Sequence, residues 1–98
     1  MIELTKDVRT GEYGILIKGG YDLNMSLYIL KVVEGGSADR DGRLQTADEI
    51  IQINGMTTSN LKLQDIIDAF KLKNSVSLLI RRSGLPLPSS MIQCGQRI

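Results

Sequence analysis

Residues Glu12-Tyr13-Gly14-Ile15-Leu16-Ile17-Lys18-Gly19-Gly20 decide how this chain is read. A glycine precedes three consecutive aliphatic residues, and a pair of glycines follows them. Glycine adopts backbone conformations closed to other residues, so Gly14 and Gly19-Gly20 mark turns. The run Ile15-Leu16-Ile17 between them fits a strand with little solvent on either face. Consecutive N–H groups in such a turn, here Tyr13-Gly14-Ile15, can point at one anion. Gly14 has no Cβ and lets another backbone approach closely. Strand alternation places Ile15 and Ile17 on the same side.

Working outward, Ile2-Glu3-Leu4-Thr5 alternates apolar and polar residues and predicts a strand, while Lys6 to Glu12 reads as a polar loop. Tyr21 to Ser26 is a second loop. Leu27 to Val33 is the strongest strand, ended by Gly35-Gly36. Ser37 to Asp41 predicts one helical turn, with Ser37 as cap and Gly42 as exit. Glu49 to Ile53 is a strand, and Asn54-Gly55 after it is a tight-turn signal. A long helix is predicted from Lys62 to Lys73, capped by Ser59 or Asn60 and stopped at Asn74. Leu63, Ile66, Ile67 and Phe70 share one face of it, with Asp65 and Asp68 off that stripe. Ser75 to Ile80 is the last strand, closed by Arg81-Arg82. From Ser83 onward, Leu85-Pro86-Leu87-Pro88-Ser89-Ser90 reads as linker.

This order predicts an α+β, mainly β domain: a small, partly open antiparallel β-barrel or sandwich of five to six strands, capped by one short and one long α-helix. The 98 residues are the length of one domain. We place it at residues 1–82, with residues 83–98 as a flexible tail or linker.

Composition narrows the chemistry. Twelve basic residues against eleven acidic ones leave a net charge of +1, which argues against a dedicated nucleic-acid binder. With no histidine, the commonest general base and zinc ligand are both missing. One cysteine, Cys94, allows no intrachain disulfide and suits a reducing, intracellular setting. No catalytic constellation is visible, so we expect no enzyme activity, and no metal or cofactor is implied. Aromatics make up only 4% of the chain (Tyr13, Tyr21, Tyr28 and Phe70), so Ile, Leu and Val must build the core. No apolar run approaches the roughly 20 residues needed to cross a bilayer.

Three segments in order carry a resemblance. They are Glu12 to Gly20, Val33-Glu34-Gly35-Gly36-Ser37-Ala38-Asp39-Arg40-Asp41-Gly42-Arg43-Leu44, and Asp48-Glu49-Ile50-Ile51-Gln52-Ile53-Asn54-Gly55. Together they resemble a PDZ domain over about residues 1–82. The first is similar to the family's Gly-Leu-Gly-Phe loop, with Glu12 in place of the first glycine. Ala47 stands where the family usually has glycine. If that position needs a positive φ, alanine costs about 1 kcal/mol there.

The resemblance implies a protein–protein interaction module with a scaffolding or adaptor role. Such a module binds the C-terminal tails of membrane receptors, channels or signalling proteins. The ligand adds as an antiparallel strand between the second strand and the long helix, a recognition mode known for PDZ domains. By the same resemblance, Tyr13, Gly14 and Ile15 hold the ligand carboxylate, assisted by Arg9, with Lys6 as the second choice. Tyr13, Ile15, Ile17 and Phe70 line the pocket for an apolar last side chain, and Leu16, Leu63 and Ile67 complete the groove. Leu63 matches the family position facing the ligand's third residue from the end. A histidine there selects Ser or Thr, so Leu63, helped by Ile67, implies an apolar partner residue instead. The implied location is cytoplasmic, at the membrane or cell junctions through partners.

Three further readings stay open. The module could be a regulatory targeting domain of a larger protease, phosphatase or kinase. Lys71, Lys73, Arg81 and Arg82 could form a weak site for anionic lipid. The tail, ending Gly95-Gln96-Arg97-Ile98, could self-associate by entering its own groove or a neighbour's, although Gln96 is not what Leu63 should prefer.

Overall fold

The computed structural model describes residues 2–20, 25–82 and 95–98. The linker motif around Pro86 and Pro88, Cys94, and most of the loop expected at Tyr21–Ser26 lie outside them. Seven strands form one antiparallel sheet that does not close. They are β1 (Ile2–Thr5), β2 (Ile15–Gly20), β3 (Met25–Val32), β4 (Asp48–Ile53), β5 (Met56–Thr57), β6 (Ser75–Arg82) and β7 (Gln96–Arg97). The helices are α1 (Ser37–Asp41) and α2 (Leu63–Lys71). The order across the sheet is β1-β6-β4-β3-β2-β7, with β5 beside β4. The expected five to six strands become seven through β5 and β7, each only two residues long.

The core is aliphatic, as the scarcity of aromatics required. Leu4, Ile15, Ile17, Leu27, Ile29, Ile50, Ile53, Ile66, Val76 and Leu78 fill it, with the rings of Tyr13 and Phe70. Two irregularities reconcile this with strand alternation. On β3, Leu16 pairs Lys31 but Ile17 pairs Ile29, so Leu30 is an extra residue and Val32 turns back toward the core. On β4, Ile50 pairs Ile80 and Gln52 pairs Leu79, so Ile50 and Ile53 both face inward although three apart. A bulge of this kind shifts the side-chain phase by one residue.

Turn chemistry explains the connections. Asn54 (φ 51°) and Gly55 (φ 82°) form the two-residue hairpin loop between β4 and β5, with Ile53 paired to Met56. The Asn54 side-chain oxygen accepts the Ser77 N–H at 2.9 Å, which ties this turn to β6. Ala47 does sit at φ 76°, and its N–H donates to the Ile29 carbonyl at 2.8 Å.

Helix ends differ from expectation. Gly36, not Ser37, precedes the first turn of α1; the Ser37 hydroxyl instead donates to the Thr5 carbonyl. Gly42 is the left-handed exit, its N–H on the Ala38 carbonyl. For α2 the cap position is Lys62, whose N–H reaches the Asp65 carboxylate at 3.4 Å. Ser59 and Asn60 are used up in a 3-10 turn spanning Thr58–Asn60. The Thr58 hydroxyl anchors that turn on the Ile50 carbonyl at 2.7 Å. Among the described residues no helix is long and apolar enough to cross a membrane.

Candidate functional site

The loop before β2 is built on Asp7. Its carboxylate is buried, accepts the Arg9 N–H at 2.9 Å, and pairs with the Arg40 guanidinium at 2.8 Å. The Arg9 N–H, ahead of the nearby guanidinium charges, holds its pKa below the ordinary carboxylate value. Arg40 belongs to α1, so this pair clamps the loop to the short helix. The loop's far end is held by the Ala38 N–H on the Tyr13 carbonyl at 3.0 Å, and by the Val33 N–H on the Gly14 carbonyl at 2.8 Å. Gly14 itself has φ 79° and lies against the backbone of Gly36.

A groove runs from this loop between β2 and α2. On α2, Ile66 and Phe70 point into the core, while Leu63, Ile67 and Lys71 form a row at four-residue spacing along the groove wall. Tyr13 and Phe70 meet edge to face with centroids 5.6 Å apart. The Tyr13 hydroxyl donates to the Lys73 carbonyl at 2.8 Å, which fastens the end of α2 to the loop, and burial pushes that hydroxyl's pKa up. A cavity of about 70 Å³ is lined by Tyr13, Phe70, Glu12, Lys6 and Lys71, together with Arg97 and Ile98.

The chain's last residues occupy the groove. β7 runs antiparallel to β2, with Leu16 opposite Arg97 and Ile17 opposite Gln96. Beyond it, Ile98 donates its N–H to the Ile15 carbonyl at 3.0 Å. Its main-chain oxygen accepts the N–H groups of Gly14 at 3.0 Å and Ile15 at 3.3 Å. Ile98 is 4% exposed and joins the core cluster. Alternation puts Gln96 on the same side as Ile98. Arg97 points away, its Nε 3.2 Å from a Glu12 carboxylate oxygen.

Of the residues expected at the carboxylate, Gly14 and Ile15 present their amides to Ile98, while Tyr13 lines the cavity and its carbonyl accepts the Ala38 N–H. Arg9 is turned to Asp7, its Nε 3.6 Å from the carboxylate, because that buried group needs a positive neighbour. Lys6 lines the cavity instead; its ammonium donates to the Lys71 carbonyl at 2.7 Å and lies 5.8 Å from the Tyr13 ring centroid. Among the groove residues, Ile15, Ile17 and Phe70 are wholly buried, Ile67 is buried and Leu63 is half-buried. Leu16 faces the opposite side from Ile15 and Ile17, where it packs on Gly95 together with Leu30.

The proposed lipid cluster separates into two places. Lys71 and Lys73 lie where β6 begins. Arg81 and Arg82 lie at its other end, bound to Glu49 and Asp48. An eight-residue strand spans roughly 25 Å, too far for one headgroup. Glu12 as a groove contact was not singled out from the sequence. Its signal was there, in the glutamate that replaces the first glycine of the loop motif.

Comparison with known proteins agrees with this geometry. The model of the PDZ domain family matches residues 1–81. Membrane-associated guanylate kinase, WW and PDZ domain-containing protein 3 from Rattus norvegicus is 35% identical over 75 residues, covering 76% of this chain and 5% of that protein. The proteins of the same name from Gallus gallus and Xenopus tropicalis are also 35% identical over 75 residues, of which this chain covers 7% in each. The chain therefore spans less than a tenth of the relatives it matches.

Proposed function

Because the chain belongs to the PDZ domain family, we propose that its β2–α2 groove binds the C-terminal tails of partner proteins by strand addition, in a scaffolding or adaptor role. A PDZ domain is a protein–protein interaction module and not a catalytic one. The observation that carries the reading is the seating of Ile98: its main-chain oxygen lies on two loop amides and its side chain is buried in an apolar pocket. Backbone amides of Gly14 and Ile15 supply the affinity that any tail can use. The pocket formed by Tyr13, Ile15, Ile17 and Phe70 supplies the preference for an apolar last residue. Half-buried Leu63 and buried Ile67 favour an apolar third-from-last residue. A short peptide buries less than a standard interface, so the complexes are expected to be micromolar and transient. The partners are the tails of membrane receptors, channels or signalling proteins, and they bring the module to the membrane. The relatives are named as membrane-associated guanylate kinases, which favours a domain embedded in a larger multidomain protein.

The test is a random C-terminal peptide library panned against the chain carrying Ile98→Asp. Enrichment of sequences with apolar last and third-from-last residues is expected. Equal binding of the enriched peptides with an amidated C-terminus would overturn the C-terminal-tail reading, and strict selection of Ser or Thr at the third-from-last position would overturn the role given to Leu63.

A further inference from the structure

We propose that residues 95–98 are a ligand of the chain's own groove, docked in cis, so that a partner's tail must displace them before it binds. This rests on the groove function proposed above and goes beyond it by naming a competitor within the molecule. Four features support it. The Ile98 main-chain atoms make three hydrogen bonds to Gly14 and Ile15. Its side chain is buried. Arg97 pairs with Glu12 on the rim. Gly95 fits flat against the outer side of the sheet, where a Cβ would stand 2.3 Å from a Leu30 methyl and 3.3 Å from the Leu16 Cβ. Gly95, Arg97 and Ile98 thus each have a different contact, and Gly95 uses a surface outside the apolar pocket.

Reach favours cis docking. The segment from Arg82 to Gly95 can extend to about 45 Å, beyond the 32 Å longest dimension of the molecule. A tether of this length holds the tail at an effective concentration of about 1 mM. If the tail alone binds at about 100 µM, the groove is closed about ten times as often as it is open. Gln96 opposite the apolar wall keeps the lock weak enough for a better tail to replace it.

The test uses the 98-residue chain and two labelled peptides read by fluorescence polarisation. One copies residues 89–98, and the other has apolar last and third-from-last residues. With Ile98→Asp in the chain, both peptides are expected to bind about tenfold more tightly than to the unaltered chain. Gly95→Val, which leaves the loop amides untouched, should act in the same direction. Equal affinity of the unaltered and altered chains would overturn the cis lock while leaving the groove function standing. Failure of both peptides on every chain would overturn the groove reading itself. Sedimentation across a hundredfold concentration range separates the two modes of docking. A constant monomer mass is expected, and a mass that climbs with concentration would show head-to-tail chains between copies and overturn the cis assignment.

Discussion

Gly14 and Gly36 meet backbone to backbone: a Cβ on Gly14 would stand 3.0 Å from the Cα of Gly36, and one on Gly36 would stand 3.1 Å from the Cα of Gly14. The loop whose amides hold the Ile98 oxygen is therefore propped from behind by the turn that opens α1. Gly36 has an ordinary extended backbone, φ −78° and ψ 175°, so alanine there is strained by close contacts alone: this one and the Val33 carbonyl oxygen, 3.2 Å from its Cβ. Gly36→Ala should push Gly14 by a few tenths of an ångström and weaken peptide binding several-fold. Gly35→Ala is the control: φ is 79° and no atom stands within reach of its Cβ. It should cost about 1 kcal/mol of stability with peptide affinity unchanged. Thermal unfolding and a peptide titration of both variants check this.

Ala47 occupies a left-handed backbone position at φ 76°. Ala47→Gly should raise stability by about 1 kcal/mol, read as a higher denaturant midpoint at constant slope. Glycine keeps the N–H that bonds Ile29, the strand residue between this turn and Ile17, so peptide affinity should not change.

The Asp7 carboxylate should set part of the acid limit of stability. Its pKa is lowered from the ordinary 3.8 by the Arg9 N–H and by the guanidinium charges of Arg40 and Arg9. A lowered folded-state pKa stabilises the fold above the unfolded value, and the gain disappears as pH falls through the folded one. Asp7→Asn should therefore be less stable than the parent at pH 6, and the difference should shrink below about pH 4 and vanish in stronger acid. Urea titrations at a series of pH values measure it. A difference that persists unchanged at low pH would mean that Asp7 acts by packing alone.

Glu12 should read the penultimate residue of a tail. It holds Arg97 at 3.2 Å on an exposed rim, where such pairs contribute up to about 1 kcal/mol. Glu12→Arg should shift peptide preference at that position from basic to acidic by a few-fold, and raised salt should erase the shift.

Leu63→His should restore a hydrogen-bonding group on the groove wall. Peptides with Thr at the third-from-last position should gain about fivefold, and peptides with Leu there should lose affinity, in side-by-side titrations.

The strands, the long helix and the turn at Gly14 were legible because each rests on local pattern: β-branched runs, apolar spacing of three and four, and glycines at turns. What escaped depends on distant partners. Ser37 looks like a cap, but the Thr5 carbonyl, at the end of β1, takes its hydroxyl. Arg9 looks free to assist a carboxylate, but the buried Asp7 claims it. Arg81 and Arg82 look like company for Lys71 and Lys73, but an extended strand carries them to the other end of the sheet. Leu16 is apolar like its neighbours, yet alternation turns it to the opposite face. β7 has no pattern at all in two residues, and only the edge of β2 gives it a conformation.

The pairing of β1 with β6 also bears on how the chain folds. It joins residues 2–5 to residues 75–78, whereas the β2–β3 and β4–β5 pairs are local. Closing so long a loop must precede any reward from the contacts it brings, so folding is expected on the millisecond-to-second scale typical of non-local β topologies. During synthesis the β2–β3 hairpin can form while β6 is still inside the ribosome. The strands β1 to β6 can be assembled only once residue 82 has emerged, and residues 95–98 reach the groove after them.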